Sequence, residues 1–173
     1  CYVGIDGLTS INEVGRYCLE GCVSLLSIDL NGFANVGIFE NYFLNSCSSL
    51  TEIDLTPLKN VGTIMGPCLS NCTSLTSVKM SNLSKLSIVG GGFLVHDPNL
   101  LNVDMTNIDF GKMISTGTSF NYLSTNIPSD PCYDTGITIK IKKEYQELFK
   151  QKLPDLDGQV EPSGTYFRYT IIE

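Results

Sequence analysis

Residues 47–55 read Cys-Ser-Ser-Leu-Thr-Glu-Ile-Asp-Leu, and residues 72–80 read Cys-Thr-Ser-Leu-Thr-Ser-Val-Lys-Met. The second segment repeats the first, so that Cys72 corresponds to Cys47 and Leu75 to Leu50. The same step separates the members of two longer columns, which are Leu25, Leu50, Leu75 and Leu100, and Cys22, Cys47, Cys72 and Asp97. A self-similar unit of this length is the signature of a solenoid, in which each unit stacks on the next.

The apolar spacing inside one unit predicts its local structure. Ile53 and Leu55 are two residues apart, which is the spacing of side chains on one face of a β-strand. Leu58, Val61 and Ile64 then follow at every third position, which favours an extended or 3₁₀-like turn over a long α-helix. One unit cannot bury these side chains alone, so we expect stacked coils with paired strands roughly 4.8 Å apart.

The segment that precedes each strand makes the pattern specific. Residues 42–50 read Tyr-Phe-Leu-Asn-Ser-Cys-Ser-Ser-Leu, and residues 67–75 read Pro-Cys-Leu-Ser-Asn-Cys-Thr-Ser-Leu. Over residues 3–115 the chain resembles the BspA-like (Treponema pallidum-type) class of leucine-rich repeats. It departs from ordinary leucine-rich repeats in lacking an asparagine ladder, since Phe33, Leu58 and Leu83 hold that place.

This resemblance implies an α/β-type leucine-rich repeat solenoid of about five coils, each about 25 residues long. Short parallel strands are expected on its concave face, with turns and short helical segments on its convex face. We predict that residues 1–136 form the solenoid. Residues 137–173 are predicted to cap it with a strand over 137–141, an amphipathic helix over 142–153 and a final strand over 165–172. A strand followed by a helix is also how BspA-like bacterial proteins commonly end.

Composition limits the possible partners. The chain has 18 acidic and 11 basic residues and a formal net charge of -7, which argues against a nucleic-acid partner. No apolar run approaches the roughly 18 residues that would span a bilayer. No motif for a cofactor is present.

Seven cysteines allow two interpretations. Stacked coils would bring Cys22, Cys47 and Cys72 within range of disulfide bonding. We favour buried free thiols, because these residues occupy an inward position of the repeat. No spacing typical of a zinc site is present. The single histidine, His96, is expected in a solvated turn, and the run at residues 90–92 is expected to be a glycine turn, because it lacks the residues that follow in a phosphate-binding loop.

The candidate binding residues flank the inward positions of each strand. We call these eight residues the polar strip: Ser27, Glu52, Ser77 and Asn102 in one row, and Asp29, Asp54, Lys79 and Asp104 in the other. A third row, Asn31, Thr56, Ser81 and Thr106, follows the strands. The polar strip is interpreted as a surface for a basic or hydroxyl-rich ligand, as a weak Ca²⁺ site, or as an ordinary solvated face.

Three functions are therefore considered. The resemblance implies a binding or adhesion module at the cell surface or outside the cell, which contacts host surface or matrix proteins or other microbes. The second is a structural spacer that presents a neighbouring domain. The third is an enzyme, which we do not expect, because a histidine-dependent catalytic pair would have to use His96.

Overall fold

The computed structural model describes residues 2–5, 8, 10–115 and 138–152, and the backbone of residues 168–172. Within these residues the chain forms a parallel-strand solenoid of about four turns. Helix is confined there to α1 (Gln146–Lys152) and to short 3₁₀ turns, which include Asn31–Phe33 and Lys143–Tyr145.

One side of the solenoid carries the strands predicted from the two-residue spacing. These are β1 (Tyr2–Gly4), β3 (Ser27–Asp29), β5 (Glu52–Asp54), β7 (Ser77–Lys79), β9 (Asn102–Asp104), β11 (Thr138–Lys142) and β12 (Arg168–Ile172). The last five pair in parallel in chain order, and β1 pairs with β3. Among the described strands no ladder joins β3 to β5, so this face is divided into two sheets between the second and third strands.

The other side carries a second parallel sheet of two-residue strands. It consists of β2 (Glu13–Val14), β4 (Ile38–Phe39), β6 (Thr63–Ile64), β8 (Ile88–Val89) and β10 (Ile114–Ser115). The spacing of three residues predicted extended or 3₁₀-like backbone in this segment, and both forms occur. Turns closed by hydrogen bonds between residues three apart, such as Leu58 N–H to the Leu55 carbonyl and Val61 N–H to the Leu58 carbonyl, lead into each short strand. Each strand is too short to be stable alone and is held by the coils on either side of it.

Columns of like side chains fill the space between the two sheets. Leu25, Leu50, Leu75 and Leu100 are buried, and so are Val36, Val61 and Leu86. Inward residues of the strands, such as Ile53 and Val78, are buried as well. Burying one such side chain contributes about 1.5–3 kcal/mol. Apolar contacts between neighbouring coils therefore stabilise each coil, which could not bury these side chains by itself.

A corner of unusual backbone geometry connects the two sheets. Leu19, Leu44, Leu69 and Leu94 occupy one column there, and all have φ between 52° and 59°. The N–H groups of Leu44, Leu69 and Leu94 donate to carbonyls of the preceding coil. Two residues later, the N–H groups of Gly21, Ser46 and Asn71 donate to carbonyls of the following coil. Left-handed backbone at alternate residues thus directs hydrogen bonds both ways along the stack.

The described cysteines are free thiols: Cys18, Cys22, Cys47, Cys68 and Cys72. Cys47 Sγ donates to the carbonyl of Leu19, and Cys72 Sγ donates to that of Leu44, each at 3.2 Å. Burial raises the pKa of Cys47 and of Cys68 to about 11. These thiols therefore remain protonated at neutral pH. Because the thiolate is the reactive form of cysteine, they are expected to be unreactive.

The C-terminal segment continues the stack after an interruption. β11 pairs with β9 and places Thr138 beside Asn102, a longer step along the chain than the one from Ser77 to Asn102. The Phe149 ring of α1 is buried and meets the Phe110 ring edge-on, with 5.4 Å between the ring centroids. The centroid of the Tyr145 ring lies 6.2 Å from that of Phe110. The helix predicted over residues 142–153 begins later than expected, because Lys142 ends β11 and Lys143–Tyr145 form a 3₁₀ turn before α1. Leu153 lies outside the described residues. The boundary at residue 136 also lies outside them, and the division at that point remains a prediction.

Candidate functional site

The first row of the polar strip is a column of paired residues. Glu52 pairs with Ser77 across β5 and β7, and Ser77 pairs with Asn102 across β7 and β9. Glu52 and Asn102 are exposed and Ser77 is half-buried. Thr138 of β11 extends the row, because it pairs with Asn102. Adjacent members are therefore separated by the distance between neighbouring strands, about 4.8 Å.

The second row alternates in charge. Asp54 pairs with Lys79, and Lys79 pairs with Asp104. The row continues onto β11, where Lys140 pairs with Asp104. Asp54, Lys79 and Lys140 are exposed and Asp104 is half-buried. Opposite charges on neighbouring strands stabilise each other by a few tenths of a kcal/mol, so the row is compatible with the fold.

Ser27 and Asp29 are placed differently from the other six residues. They lie on β3, which pairs with β1 and not with β5. The hydrogen-bonded register of the polar strip therefore runs over β5, β7, β9 and β11. The like-charged neighbours expected at Asp29 and Asp54 stand on either side of the division in the sheet, where no ladder between these described strands fixes their spacing.

The aspartates of the second row also have a structural role. Asp29 Oδ1 accepts the backbone N–H of Asn31 at 2.9 Å, and Asp54 Oδ1 accepts that of Thr56 at 2.9 Å. Asp104 Oδ1 accepts the backbone N–H of Thr106 at 3.0 Å and its hydroxyl. Each carboxylate closes an Asx turn where the strand ends. The third row of the sequence analysis thus supplies the donors for these turns.

Two further observations concern metal-ligand geometry and the histidine. No three His, Cys, Asp or Glu side chains among the described residues lie close enough together to hold a metal ion. His96, the one histidine of the chain, is exposed in a turn with φ of 60°. The described part of the polar strip therefore offers hydroxyl, amide, carboxylate and ammonium groups.

Two features were missed by reasoning from the sequence. Thr138 and Lys140 were assigned to a cap, although their neighbours Ile139 and Ile141 repeat the inward spacing of Ile53 and Leu55. The second feature is a stacked pair of tyrosines, Tyr17 and Tyr42, at the corner of the first coils. The available signal was that both tyrosines occupy the same place in successive repeats.

Comparison with known proteins agrees with this architecture. A family model described as a BspA type leucine-rich repeat region matches residues 4–93 in six copies. The chain belongs to this BspA-type leucine-rich repeat family. No curated protein and no solved structure matches the chain. In the part of the chain that the structure describes, no helix is long and apolar enough to cross a membrane.

Membership in the BspA-type family indicates the general kind of function. Leucine-rich repeats of this type form protein-interaction modules, and they are generally not enzymes. The BspA-type family is typically surface-associated. The family thus indicates a repeat module for protein interaction.

Proposed function

We propose that this BspA-type chain is a non-catalytic protein-binding or adhesion module of a cell-surface or secreted protein, and that it recognises its partner with the polar strip. The observation that carries the proposal is the register of four parallel strands, which holds Asp54, Lys79, Asp104 and Lys140 in one row. A row fixed by strand pairing is preorganised, so little free energy is lost in ordering it when a partner binds.

The chemistry of the two rows favours a protein partner. A row of alternating charges about 4.8 Å apart is complementary to a partner surface whose charges alternate in the opposite order. A uniformly charged polymer would be attracted by half of the row and repelled by the other half. The neighbouring row adds the amide of Asn102 and the hydroxyls of Ser77 and Thr138, which donate and accept hydrogen bonds. The net charge of -7 disfavours nucleic acid. Host surface or matrix proteins and other microbial surfaces are the proposed partners.

The experiment measures adhesion and solid-phase binding to purified extracellular-matrix proteins and to host cells. The strip variant carries Glu52→Lys, Lys79→Glu and Lys140→Glu. It leaves untouched the aspartates that close turns, since their loss would disturb the fold. The control variant carries Glu13→Lys, Lys59→Glu and Lys85→Glu, which changes the net charge equally at exposed positions outside the polar strip.

We expect the strip variant to lose at least tenfold in affinity for the partner, and the control variant to stay within about twofold. Equal losses in both variants would reject the polar strip as the recognition surface. If the parent chain binds none of the surfaces, the adhesion proposal fails and the spacer function becomes the better account.

A further inference from the structure

The corner of the first two coils carries an exposed aromatic stack. The rings of Tyr17 and Tyr42 lie 4.9 Å apart with an angle of 9° between their planes. Tyr17 is 56% exposed, which is high for a large aromatic side chain, and Tyr42 is half-buried. Aromatic side chains that remain accessible in this way are enriched at protein interfaces, where they become the strongest contributors to binding.

The repeat does not need aromatic residues at this position. In the next two coils the same column holds Pro67 and Gly92, and the N–H groups of Leu69 and Leu94 still donate to the preceding coil there. Tyr17 and Tyr42 have left-handed backbone with φ of 63° and 70°, and Gly92 in the same column has φ of 86°. A glycine would adopt this backbone with less strain. The backbone of the repeat therefore does not require a tyrosine at this position.

The groups around the stack make it suited to a cation. Glu20 follows Tyr17 in one turn, with its N–H donating to the Tyr17 carbonyl at 3.1 Å. Glu40 precedes Tyr42 by two residues and contacts Arg16 at 3.5 Å. Before Lys59 the sequence contains a single basic side chain, Arg16, and these acidic ones: Asp6, Glu13, Glu20, Asp29, Glu40, Glu52 and Asp54. This end of the solenoid therefore has a strongly negative charge.

We propose that the Tyr17–Tyr42 stack is a second docking site, distinct from the polar strip, and that it binds an arginine- or lysine-rich segment of a protein partner. The outer faces of the two rings receive the cationic side chain, since a guanidinium or ammonium group is attracted to the face of an aromatic ring. Glu20 and Glu40 attract the positive segment and increase its rate of association. The site is independent of the polar strip, so each can fail without the other.

The test uses the whole chain and a fluorescently labelled octapeptide of alternating arginine and glycine, with an alternating glutamate and glycine peptide as the probe of opposite charge. Binding is followed by fluorescence anisotropy at low and at physiological salt. The first variant carries Tyr17→Leu and Tyr42→Leu, which keeps apolar side chains at the corner and removes the rings. The second carries Tyr17→Phe and Tyr42→Phe, which keeps the rings and removes only the hydroxyl groups.

The basic peptide is expected to bind saturably, with the leucine variant about tenfold weaker and the phenylalanine variant within about twofold of the parent. Thermal unfolding confirms that each variant is folded. Retention of affinity in the leucine variant would overturn the proposal. So would the absence of saturable binding by the parent chain, or equal binding of the acidic peptide.

A second pair of variants separates this site from general electrostatic attraction. Glu20→Gln with Glu40→Gln removes two charges beside the stack, and Glu144→Gln with Glu147→Gln removes two exposed charges elsewhere. We expect the first pair to weaken peptide binding at least threefold more than the second. Equal effects would show that the peptide senses only the net charge, which would also overturn the proposal.

Discussion

Asp97 Oδ1 accepts a hydrogen bond from the backbone N–H of Cys72 at 2.7 Å. Asp97 lies one coil after Cys72, and it occupies the position that holds cysteine in the three preceding coils. Its side chain is fully buried, whereas a carboxylate usually faces water. Burial raises the pKa of Asp97 from 3.8 to about 8, although the hydrogen bond from Cys72 opposes the shift. At neutral pH the folded chain therefore keeps a proton that the unfolded chain has lost.

This relationship predicts that the chain becomes less stable as the pH rises from about 4 to about 8. In that window the folded state binds more protons than the unfolded state, so the free energy of unfolding falls by up to about 1.4 kcal/mol per pH unit. The stability that the neutral Asp97 carboxyl provides is fully present below pH 4, and it is completely lost above pH 8. Asp97→Asn removes the titration and keeps an oxygen to accept the Cys72 N–H, so its slope should be smaller. Urea unfolding at pH 4.5, 6 and 7.5 measures the difference.

Asp109 offers a control of opposite sign. Its hydrogen bond with Lys112, at 2.9 Å, lowers the pKa of this carboxyl. Its stabilising contribution is therefore present above the unfolded pKa and is lost as the pH falls. Asp109→Asn should leave the slope between pH 4.5 and 7.5 unchanged. If Asp97→Asn also leaves it unchanged, Asp97 is ionised in the folded chain and the assignment is wrong.

The Asx turn at Asp54 gives a second prediction. Asp54→Ala removes the acceptor for the Thr56 N–H and should reduce the free energy of unfolding by about 1 kcal/mol. Asp54→Asn keeps an acceptor and should lose much less. Lys79→Ala, at the equivalent position one coil later, removes no turn acceptor and should change stability by less than about 0.5 kcal/mol. Equal losses at Asp54 and Lys79 by urea unfolding would show that charge, and not the turn, is responsible.

The left-handed corner gives a third prediction, for which two glycines form a matched pair. Gly21 has φ of 67°, Gly15 does not have a positive φ, and a Cβ added to either would meet nothing within 4 Å. Gly21→Ala should therefore destabilise by about 1–2 kcal/mol through the backbone alone. Gly15→Ala should be neutral or stabilising by about 0.5 kcal/mol. A neutral Gly21→Ala would show that the corner relaxes without loss.

Reasoning from the sequence succeeded where the signal is local and repeated. The strand around Ile53 follows from a spacing of two residues, and its partner around Val78 follows from the repeat. The two-residue strands such as Thr63–Ile64 were not resolved from turns, because each exists only through pairing with neighbouring coils. The pairing of Lys140 with Asp104 breaks the period of the repeat, so no spacing predicted it.

The polar strip shows the same limit at the level of function. Its outward positions follow from strand periodicity, and the structure places them as expected on β5, β7 and β9. The role of Asp54 in closing a turn was also readable, since Asp followed two residues later by Thr is typical of an Asx turn. Whether an exposed row binds a partner depends on the partner's surface, which the repeat does not encode. The polar strip therefore remains a proposal.

The last prediction concerns the order in which the solenoid unfolds. Phe149 of α1 is buried and its ring contacts that of Phe110, so Phe149→Ala removes an edge-on aromatic pair. Truncating a buried phenylalanine typically costs about 3–5 kcal/mol. Coils interact only with their neighbours, so we expect the loss to open the C-terminal coils first. Hydrogen exchange should then rise around Val103 and Met105 while Ile53 and Leu55 stay protected. Glu147→Ala, on the exposed face of α1, is the control and should leave exchange unchanged. A uniform rise along all coils in Phe149→Ala would instead mean that the solenoid unfolds as one cooperative unit.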